Sequence, residues 1–329
     1  MLPNFLIIGS ASSGAGFVSS CLRGHPQVYL SPVLEPCFFH FEGEAVKYTG
    51  PRDREVYRNA GWGEIERACE EERPVLAVTD IEAYKRLFDG AGGRKAVGEA
   101  SRIYLYSEKA PPRILHHLPG VKLIAVLRNP VDRAFAEYAA RVMEDREPLG
   151  DFEAALAEEE TRVREGWSPD WHYTRMGLYC QQLRSYFRLF GSDRIRVYLF
   201  EDIAQDAIAV ARDIYRFLEI DESFSPDLPE KPEETLFPRS RWVHRVLAAP
   251  GPVKTGLKAI LPENLWAGAN AMVSGLDKRF NSRKLILPDS VRVRLSDFYR
   301  GDIEQLEVLI KRDLSTWTSS RVVQPALTH

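Results

Sequence analysis

The sequence predicts an α/β fold, in which buried parallel strands alternate with helices and a helical extension completes the C-terminal part. Two apolar runs carry this prediction. The runs at Phe5 to Ile8 and Val121 to Leu127 are rich in branched residues and lack polar alternation, which is typical of strands buried on both faces of a parallel sheet. Each run leads through a turn into residues at helical spacing. The 329 residues suffice for one such domain with an extension or for two domains.

Composition narrows the class of protein. A net charge of −3 gives no support for non-specific nucleic-acid binding. The four cysteines are scattered, with no pair or His-Cys cluster at metal-ligand spacing, so we expect reduced, buried thiols and no metal site. The first strand begins at about the fifth residue, which leaves no room for a signal peptide, and no apolar run could cross a bilayer. We therefore expect a cytoplasmic protein without a membrane span.

The loop after the first strand is built only from small residues. From Gly9 to Gly16 every residue is Gly, Ala or Ser, and a helix containing Phe17 to Leu22 follows, ended by Gly24, His25 and Pro26. A strand, a small-residue loop and a helix N-terminus together bind anions well, because unpaired N–H groups and the helix dipole point at one place. The alternative is a tight turn between strand and helix that has no ligand.

The middle of the chain predicts further elements. They are strands at Val28–Leu30 and Ala96–Ser101, helices at Trp62–Glu72 and Ile81–Phe88, and an irregular polar segment from Gly43 to Arg58. Between them, two prolines flank Glu35 and stiffen its loop. Ligands of doubly wound folds bind at the carboxyl ends of the strands, so Glu99 and Ser101 are well placed for function.

The strand from Val121 to Leu127 gives the clearest unit. Arg128 leaves its carboxyl end, and Pro130 opens the next helix. An arginine beside a helix N-terminus predicts a second anion site. The alternative is a structural ion pair between Arg128 and an acid such as Asp132.

At this point the chain resembles the bacterial branch of the sulfotransferases that use 3′-phosphoadenosine 5′-phosphosulfate (PAPS). The resemblance runs almost from end to end of the sequence. The matching motifs, in chain order, are the opening strand and loop, residues 98–101 together with Tyr104, and residues 127–135 (Leu-Arg-Asn-Pro-Val-Asp-Arg-Ala-Phe). They continue with residues 167–179, residues 194–202, Pro238-Arg239-Ser240 and the last helix from Tyr299 to Trp317.

The resemblance implies a P-loop-like, doubly wound parallel sheet with helices on both faces and a helical C-terminal extension, in a single domain of residues 1–329 with a helical lid or extension at about 230–282. It implies PAPS as the donor. The N–H groups of Ser13, Gly14, Ala15 and Gly16 would hold the 5′-phosphate, Arg128 the 3′-phosphate, and Glu99 would be the general base.

Other residues are secondary candidates under the same resemblance. His172 is a candidate for the acceptor side, against a structural histidine beside Trp171. A lid over the donor would use Arg239, Arg283 and Lys284, although a solvated basic surface explains these residues as well.

The chain also departs from the family pattern. Ser12 stands where the first loop usually carries a lysine, two threonine hydroxyls of that loop are missing, and Ala136 replaces a phosphate-binding serine. Leu34 stands where a lysine commonly precedes Glu35-Pro36. Each lost donor costs on the order of 3 kcal/mol of transition-state stabilisation, or about 100- to 1,000-fold in rate, unless another group replaces it.

Three hypotheses follow from this pattern. The first is sulfuryl transfer from PAPS to a hydroxyl or amine of a small molecule or carbohydrate, with Ser12, Ser13 or a distant basic residue replacing the lysine. The second is the same fold repurposed for a PAPS-independent acid/base reaction in specialised metabolism, using Glu99 and His172. The third is a non-catalytic protein with an anion pocket. A partner nucleic acid is not expected, and a homodimer contact could form in 230–282.

Overall fold

The computed structural model describes residues 1–57, 59, 61–70, 77–227, 236–238, 282–284 and 286–318. The expectation of a helical lid at 230–282 and the assignment of Arg239 therefore lie almost entirely outside the described residues. Arg283 and Lys284 belong to a short strand, but their side chains are also outside the description.

A five-stranded parallel sheet forms the centre of the fold, as predicted. Its strands are β1 (Phe5–Ile7), β2 (Val28–Leu30), β3 (Ala96–Ala100), β4 (Lys122–Leu127) and β5 (Ile195–Leu199). They lie in the order β2-β3-β1-β4-β5, and every neighbouring pair is parallel. A separate antiparallel pair joins β6 (Leu236–Pro238) to β7 (Ser282–Lys284).

Helices surround the sheet. They are α1 (Ala15–Arg23), α2 (Phe38–Phe41), α3 (Asp53–Val56), α4 (Trp62–Glu70), α5 (Ile81–Arg86), α6 (Ile103–Tyr106), α7 (Ala110–His117), α8 (Pro130–Met143), α9 (Phe152–Ala157), α10 (Glu159–Arg164), α11 (Tyr179–Phe190), α12 (Phe200–Gln205), α13 (Ala207–Leu218), α14 (Asp289–Ile310) and α15 (Ser315–Thr318).

Both faces of the sheet are covered, because successive strand side chains point to opposite sides. Phe5 and Ile7 belong to the core that includes α1 and α13. Leu6 and Ile8 belong to the larger core on the other face, which includes α8, α11 and α14. A strand buried on both sides has no polar alternation, and this explains why the apolar runs predicted the sheet correctly.

Several element boundaries differ from the prediction. The helix predicted to reach Phe88 ends at Arg86, and a 3₁₀ turn at Asp89–Ala91 follows. The motif at 194–202 divides between two elements, since β5 ends at Leu199 and Phe200 begins α12. The segment from 43 to 58, expected to be irregular, contains α3, whose Asp53 is fully buried.

The C-terminal helix α14 stabilises the N-terminus of α11. Asp302 accepts hydrogen bonds from the N–H groups of Cys180 (2.9 Å) and Gln181 (3.3 Å), in the first turn of α11. A carboxylate at this point satisfies N–H groups that have no partner within the helix and interacts favourably with the helix dipole. The extension thus fixes the position of α11.

Candidate functional site

The site lies where two connections leave the sheet in opposite directions. β1 and β4 are neighbours, but the connection after β1 leads to β2 at one edge and the connection after β4 leads to β5 at the other. Such a reversal opens a crevice at the carboxyl ends of the strands. The loop after β1 and Arg128 meet there, because Arg128 Nη1 donates a hydrogen bond to the carbonyl oxygen of Ser12 at 3.2 Å.

The loop after β1 requires its small residues. A Cβ at Gly9 would lie 2.3 Å from the backbone nitrogen of Val126, so only glycine lets β1 approach β4 this closely. Gly14 has φ +97, and a Cβ there would lie 3.3 Å from the ring of Phe200. Within the described residues, the N–H groups of Ser13 to Gly16 donate to no backbone carbonyl. They are therefore available to an anion at the start of α1.

Arg128 is the second half of the candidate anion site. The alternative of an ion pair with Asp132 is not observed, because Asp132 pairs with Arg292 at 2.8 Å. Arg128 lies over the ring of Phe200, 4.6 Å from the centroid, and it forms no ion pair with any described residue. Burial lowers the pKa of its guanidinium. The half-buried charge of Arg128 is thus left for a ligand.

The side chain of Ser12 is already bonded to a carboxylate of the protein. Its hydroxyl donates a hydrogen bond of 2.8 Å to Oε2 of Glu137, whose residue is 1% exposed. Glu137 also forms an ion pair with Arg141 at 3.1 Å. Ser12 itself has φ +58, a backbone conformation that is uncommon for a residue other than glycine. A carboxylate therefore lies beside the loop at the position where the resemblance led us to expect the charge of a lysine.

A buried ionic cluster continues from Glu137. Asp170 forms ion pairs with Arg102 (3.3 Å), Arg141 (3.1 Å) and Arg146 (2.8 Å). Arg146 also pairs with the fully buried Asp53 at 2.9 Å. Opposite charges this close offset much of the cost of removing each one from water. The arginines hold the pKa of the Asp170 carboxyl far below its usual range, although burial alone would raise it.

Glu35 lies at the exposed end of this cluster. Its Oε2 is 3.4 Å from Nε of Arg102, and its side chain is 19% exposed. Oε1 accepts no hydrogen bond from any described residue, and burial raises the pKa of the carboxyl above its ordinary value. Sequence reasoning noted that prolines stiffen this loop but did not assign Glu35 a function. The signal was available, since Glu35 follows β2 at the same sheet edge as Glu99.

Glu99 has a different environment. The residue is 1% exposed, and its two oxygens accept hydrogen bonds from Ser101 Oγ (2.8 Å) and Tyr84 Oη (3.2 Å). Burial raises the pKa of its carboxyl to about 7. Ser101 Oγ also accepts a hydrogen bond from the N–H of Cys37 at 3.0 Å. Glu99 thereby holds, through Ser101, the loop that carries Glu35.

His172, the candidate for the acceptor side, is buried beside a tyrosine hydroxyl. Its Nδ1 lies 2.9 Å from the hydroxyl of Tyr106, and the residue is 8% exposed. Burial lowers its pKa to about 4, so the ring is neutral near pH 7. His172 comes two residues after Asp170, so it is next to the ionic cluster. It forms no hydrogen bond or ring contact with Arg128 or with the described residues of the loop after β1.

Metal-binding clusters and membrane-spanning helices are both absent from the described residues. No group of three or more His, Cys, Asp or Glu side chains in them is arranged to hold a metal ion. None of the helices in these ranges combines the length and the apolar character needed to traverse a bilayer.

Comparison with known proteins assigns the family. The model of the "Sulfotransferase family" matches residues 3–226. A crystal structure of a sulfotransferase from Alicyclobacillus acidocaldarius is 31% identical, with a TM-score of 0.71, over 97% of this chain and 100% of that chain.

Curated relatives agree with this result over shorter stretches. The membrane-associated sulfotransferase kil1 of Dictyostelium discoideum is 27% identical over 42% of this chain and 22% of that protein. Heparan sulfate glucosamine 3-O-sulfotransferase 6 of Mus musculus is 28% identical over 57% of this chain and 44% of that protein. The matched stretch spans less than half the length of these relatives. From its α/β architecture and these matches, the chain belongs to the sulfotransferase family.

Proposed function

We propose that this protein transfers a sulfuryl group from PAPS to a hydroxyl or amine of a small molecule or carbohydrate. One observation carries the proposal. The guanidinium of Arg128, which has no ion-pair partner among the described residues, contacts the loop after β1. In that loop the N–H groups of Ser13 to Gly16 donate to no backbone carbonyl of the described residues, and the two features meet at the switch point of a doubly wound sheet. Cations and N–H donors that have no partner within the protein are what a ligand with several phosphate groups requires.

The two anion corners divide the donor between them. The N–H groups of Ser13 to Gly16 would hold the 5′-phosphate, and Arg128 the 3′-phosphate. Sulfuryl transfer forms a bond from the acceptor atom to sulfur, and it breaks the bond from sulfur to the 5′-phosphate oxygen. The electron pair leaves with that oxygen, so the negative charge grows where the loop N–H groups point.

We expect a carboxylate to take the proton of the acceptor. The geometry favours Glu35 for this role over Glu99, which the family resemblance implies. A general base needs to reach the proton before its pKa matters. Glu35 is partly exposed and has an oxygen without a hydrogen bond, whereas both oxygens of Glu99 are already bonded inside the core. We therefore assign proton transfer to Glu35, and positioning of its loop to Glu99.

Arg102 is our candidate for the cation that replaces the missing lysine, although in this structure it is paired with Glu35 and Asp170. It is half-buried, with 23% of its side chain exposed, and it lies between Glu35 and Asp170 at the carboxyl end of β3. Sequence reasoning anticipated only an unnamed, distant basic residue. Arg102 comes two residues after the end of β3, so it belongs to the same edge of the sheet as the loop after β1.

A carbohydrate is the acceptor that the relatives support. The relative from Mus musculus is named for sulfation of heparan sulfate glucosamine. We therefore propose a sugar hydroxyl as the acceptor group, with small-molecule hydroxyls and amines as the wider class.

A second candidate function is retained because of one contact. The hydrogen bond from Ser12 to Glu137 places a carboxylate beside the phosphate loop, which opposes binding of an anionic donor. A protein that has abandoned PAPS, for another acid/base reaction or as a non-catalytic anion-binding protein, would show this contact as well.

Calorimetric titration with 3′-phosphoadenosine 5′-phosphate separates these functions. We expect saturable binding that weakens about 10- to 100-fold in Arg128→Ala, because a charge-assisted hydrogen bond contributes roughly 1.5–3 kcal/mol. Arg212→Ala, an exposed arginine on α13, is the matched control. Absence of heat at millimolar nucleotide would end the PAPS assignment. If binding appears only in Ser12→Lys, the second candidate is favoured.

A further inference from the structure

The C-terminal motif from Arg312 to Trp317 belongs to the family resemblance, but the proposed function gives it no role. Its last residue lies in α15 (Ser315–Thr318). Trp317 is 2% exposed and belongs to the larger core, so packing accounts for its ring. Packing does not account for its polar atoms, which have hydrogen-bond partners in two other segments of the chain.

These two partners are the chain neighbours of Arg128 and Phe200. The indole N–H of Trp317 donates to Oε1 of Glu201 at 3.0 Å, and Glu201 directly follows Phe200. The side-chain amide of Asn129, the residue after Arg128, donates to the carbonyl oxygen of Trp317 in a long hydrogen bond of 3.5 Å. Trp317 therefore joins the two segments that place the Arg128 guanidinium over the Phe200 ring.

Tyr179 links Trp317 to Arg128 by a third route. The ring centroids of Trp317 and Tyr179 are 6.2 Å apart, and the hydroxyl of Tyr179 donates to the carbonyl oxygen of Arg128 at 3.0 Å. Tyr179 is the first residue of α11, the helix whose N-terminus accepts the carboxylate of Asp302. The C-terminal part of the chain thus contacts the surroundings of Arg128 from several sides.

Arg312 binds the residue after Glu201. Its Nη2 and Nη1 donate to the two oxygens of Asp202 at 2.7 and 3.2 Å. Asp202 in turn accepts a hydrogen bond from the N–H of Leu199 at 3.0 Å, at the start of α12. The side chain of Arg312 is 42% exposed, so this ion pair contributes less than the buried indole bond. The motif therefore binds both carboxylates in the first turn of α12.

The carboxylate of Glu201 could otherwise compete for Arg128. Burial lowers the pKa of Arg128, and the charges of Asp132 and Glu201 act against this effect. Burial raises the pKa of Glu201, while its hydrogen bonds to Trp317 and to the backbone of Asn129 and the charge of Arg128 lower it. The charges of Glu201 and Arg128 thus attract each other, although the two side chains form no ion pair in this structure. The bond to the indole N–H directs the carboxylate elsewhere.

We propose that Trp317 is a positioning residue for donor binding: its indole N–H holds the carboxylate of Glu201 off Arg128, which leaves the guanidinium to the 3′-phosphate. The inference rests on the proposed function and adds a role for the C-terminal motif. A carboxylate that has a strong donor of its own gains less from turning to an arginine. Loss of that donor would allow an internal ion pair that excludes the phosphate.

Calorimetric titration with 3′-phosphoadenosine 5′-phosphate tests the proposal on the full chain. Trp317→Phe removes the indole N–H and keeps an aromatic ring in the core. We expect it to weaken binding about 3- to 10-fold, the usual size of an effect from a residue that does not touch the ligand. The double variant Trp317→Phe/Glu201→Gln should regain affinity, because an amide carries no charge to pair with Arg128. Trp167→Phe is the matched control, since Trp167 also donates its indole N–H to a glutamate, Glu165, at 3.1 Å.

A second nucleotide separates positioning from general loss of structure. Adenosine 5′-phosphate lacks the 3′-phosphate, so its affinity should be equal in the wild type and Trp317→Phe. An equal loss of affinity for both nucleotides overturns the proposal, and so does a double variant that binds as weakly as Trp317→Phe.

The crystal structure of ligand-free Trp317→Phe tests the contact without reference to catalysis. We expect a carboxylate oxygen of Glu201 within 4 Å of a guanidinium nitrogen of Arg128. If Glu201 stays away from Arg128 in this variant, the proposal is wrong. If the ion pair forms but the wild type binds neither nucleotide, the role of Trp317 in keeping Arg128 unpaired stands, and the proposed function is overturned instead.

Discussion

In the proposed function, the donor corner consists of Arg128 and the loop after β1, and the acceptor corner consists of Glu35 and the ionic cluster around Asp170. The two corners differ in how their charges are paired. At the donor corner, Arg128 and the N–H groups after β1 have no anionic partner among the described residues. At the acceptor corner, Asp170 shares three arginines in a buried cluster, and Glu35 lies at its exposed end. Free charge at one corner is available to a ligand, whereas paired charge at the other holds the structure around one carboxylate.

The strongest test of this contrast compares Asp170→Asn with Arg128→Ala. Removing one partner of a buried ion pair typically costs 3–5 kcal/mol, so we expect Asp170→Asn to lower the free energy of unfolding by about that amount. Arg128→Ala should change it by less, by about 1 kcal/mol, since Arg128 loses one hydrogen bond and a ring contact but no ion pair with a described residue. Urea denaturation of both variants and the wild type measures the difference. Similar losses of unfolding free energy in both variants would show that paired and unpaired charge do not distinguish the two corners.

The second test concerns the two carboxylates. We expect Glu35→Gln to lower kcat by about 10²- to 10⁴-fold, the usual contribution of a general base, with little change in nucleotide binding. Glu99→Gln should retain more activity, because an amide can still accept the hydrogen bond from Ser101.

The pH dependence of kcat decides which carboxylate transfers the proton. Activity of the wild type should rise with pH as Glu35 loses its proton, above the usual range for glutamate since burial raises its pKa. This rise should persist in Glu99→Gln. If Glu99→Gln abolishes the rise and Glu35→Gln preserves it, Glu99 is the base, as the sequence alone suggested.

The smallest expected effect is on stability at different pH values. Burial raises the pKa of Glu99 from 4.5 to about 7, so the native state keeps a proton that the unfolded state releases between these values. The stabilisation from this proton is complete below about pH 4.5 and is lost as pH rises through about 7. Relative to Glu99→Gln, the wild type should lose about 3 kcal/mol of unfolding free energy between pH 4.5 and pH 8. Parallel pH curves of the two proteins in urea denaturation would contradict a buried, protonated Glu99.

Much of the donor corner could be predicted from local sequence. The loop of small residues requires its composition, since a side chain at Gly9 would collide with β4. Arg128 follows an apolar strand, and Asn129 caps the next helix by accepting hydrogen bonds from the N–H groups of Val131 and Asp132. Such features depend on neighbours in the chain, and the family resemblance rests on them as well.

The acceptor corner could not be predicted in the same way. Glu35, Arg102 and Asp170 are separated by tens of residues, and no spacing in the sequence reveals that their charges meet. The same applies to Glu99, whose sequence position at a strand end suggested an accessible base, while Tyr84 and Ser101 enclose it. Its accessibility depends on how α5 packs against β3.

The sequence by itself determined the parallel sheet, the small-residue loop after β1 and the arginine that follows β4, because periodicity, small residues and helix caps act over a few positions of the chain. Only the tertiary structure decided that Ser12 contacts Glu137, that Arg128 remains unpaired and that Glu35 lies at the open end of the ionic cluster. Electrostatic partners are set by distances through space, and folding fixes these distances between segments that are remote in sequence.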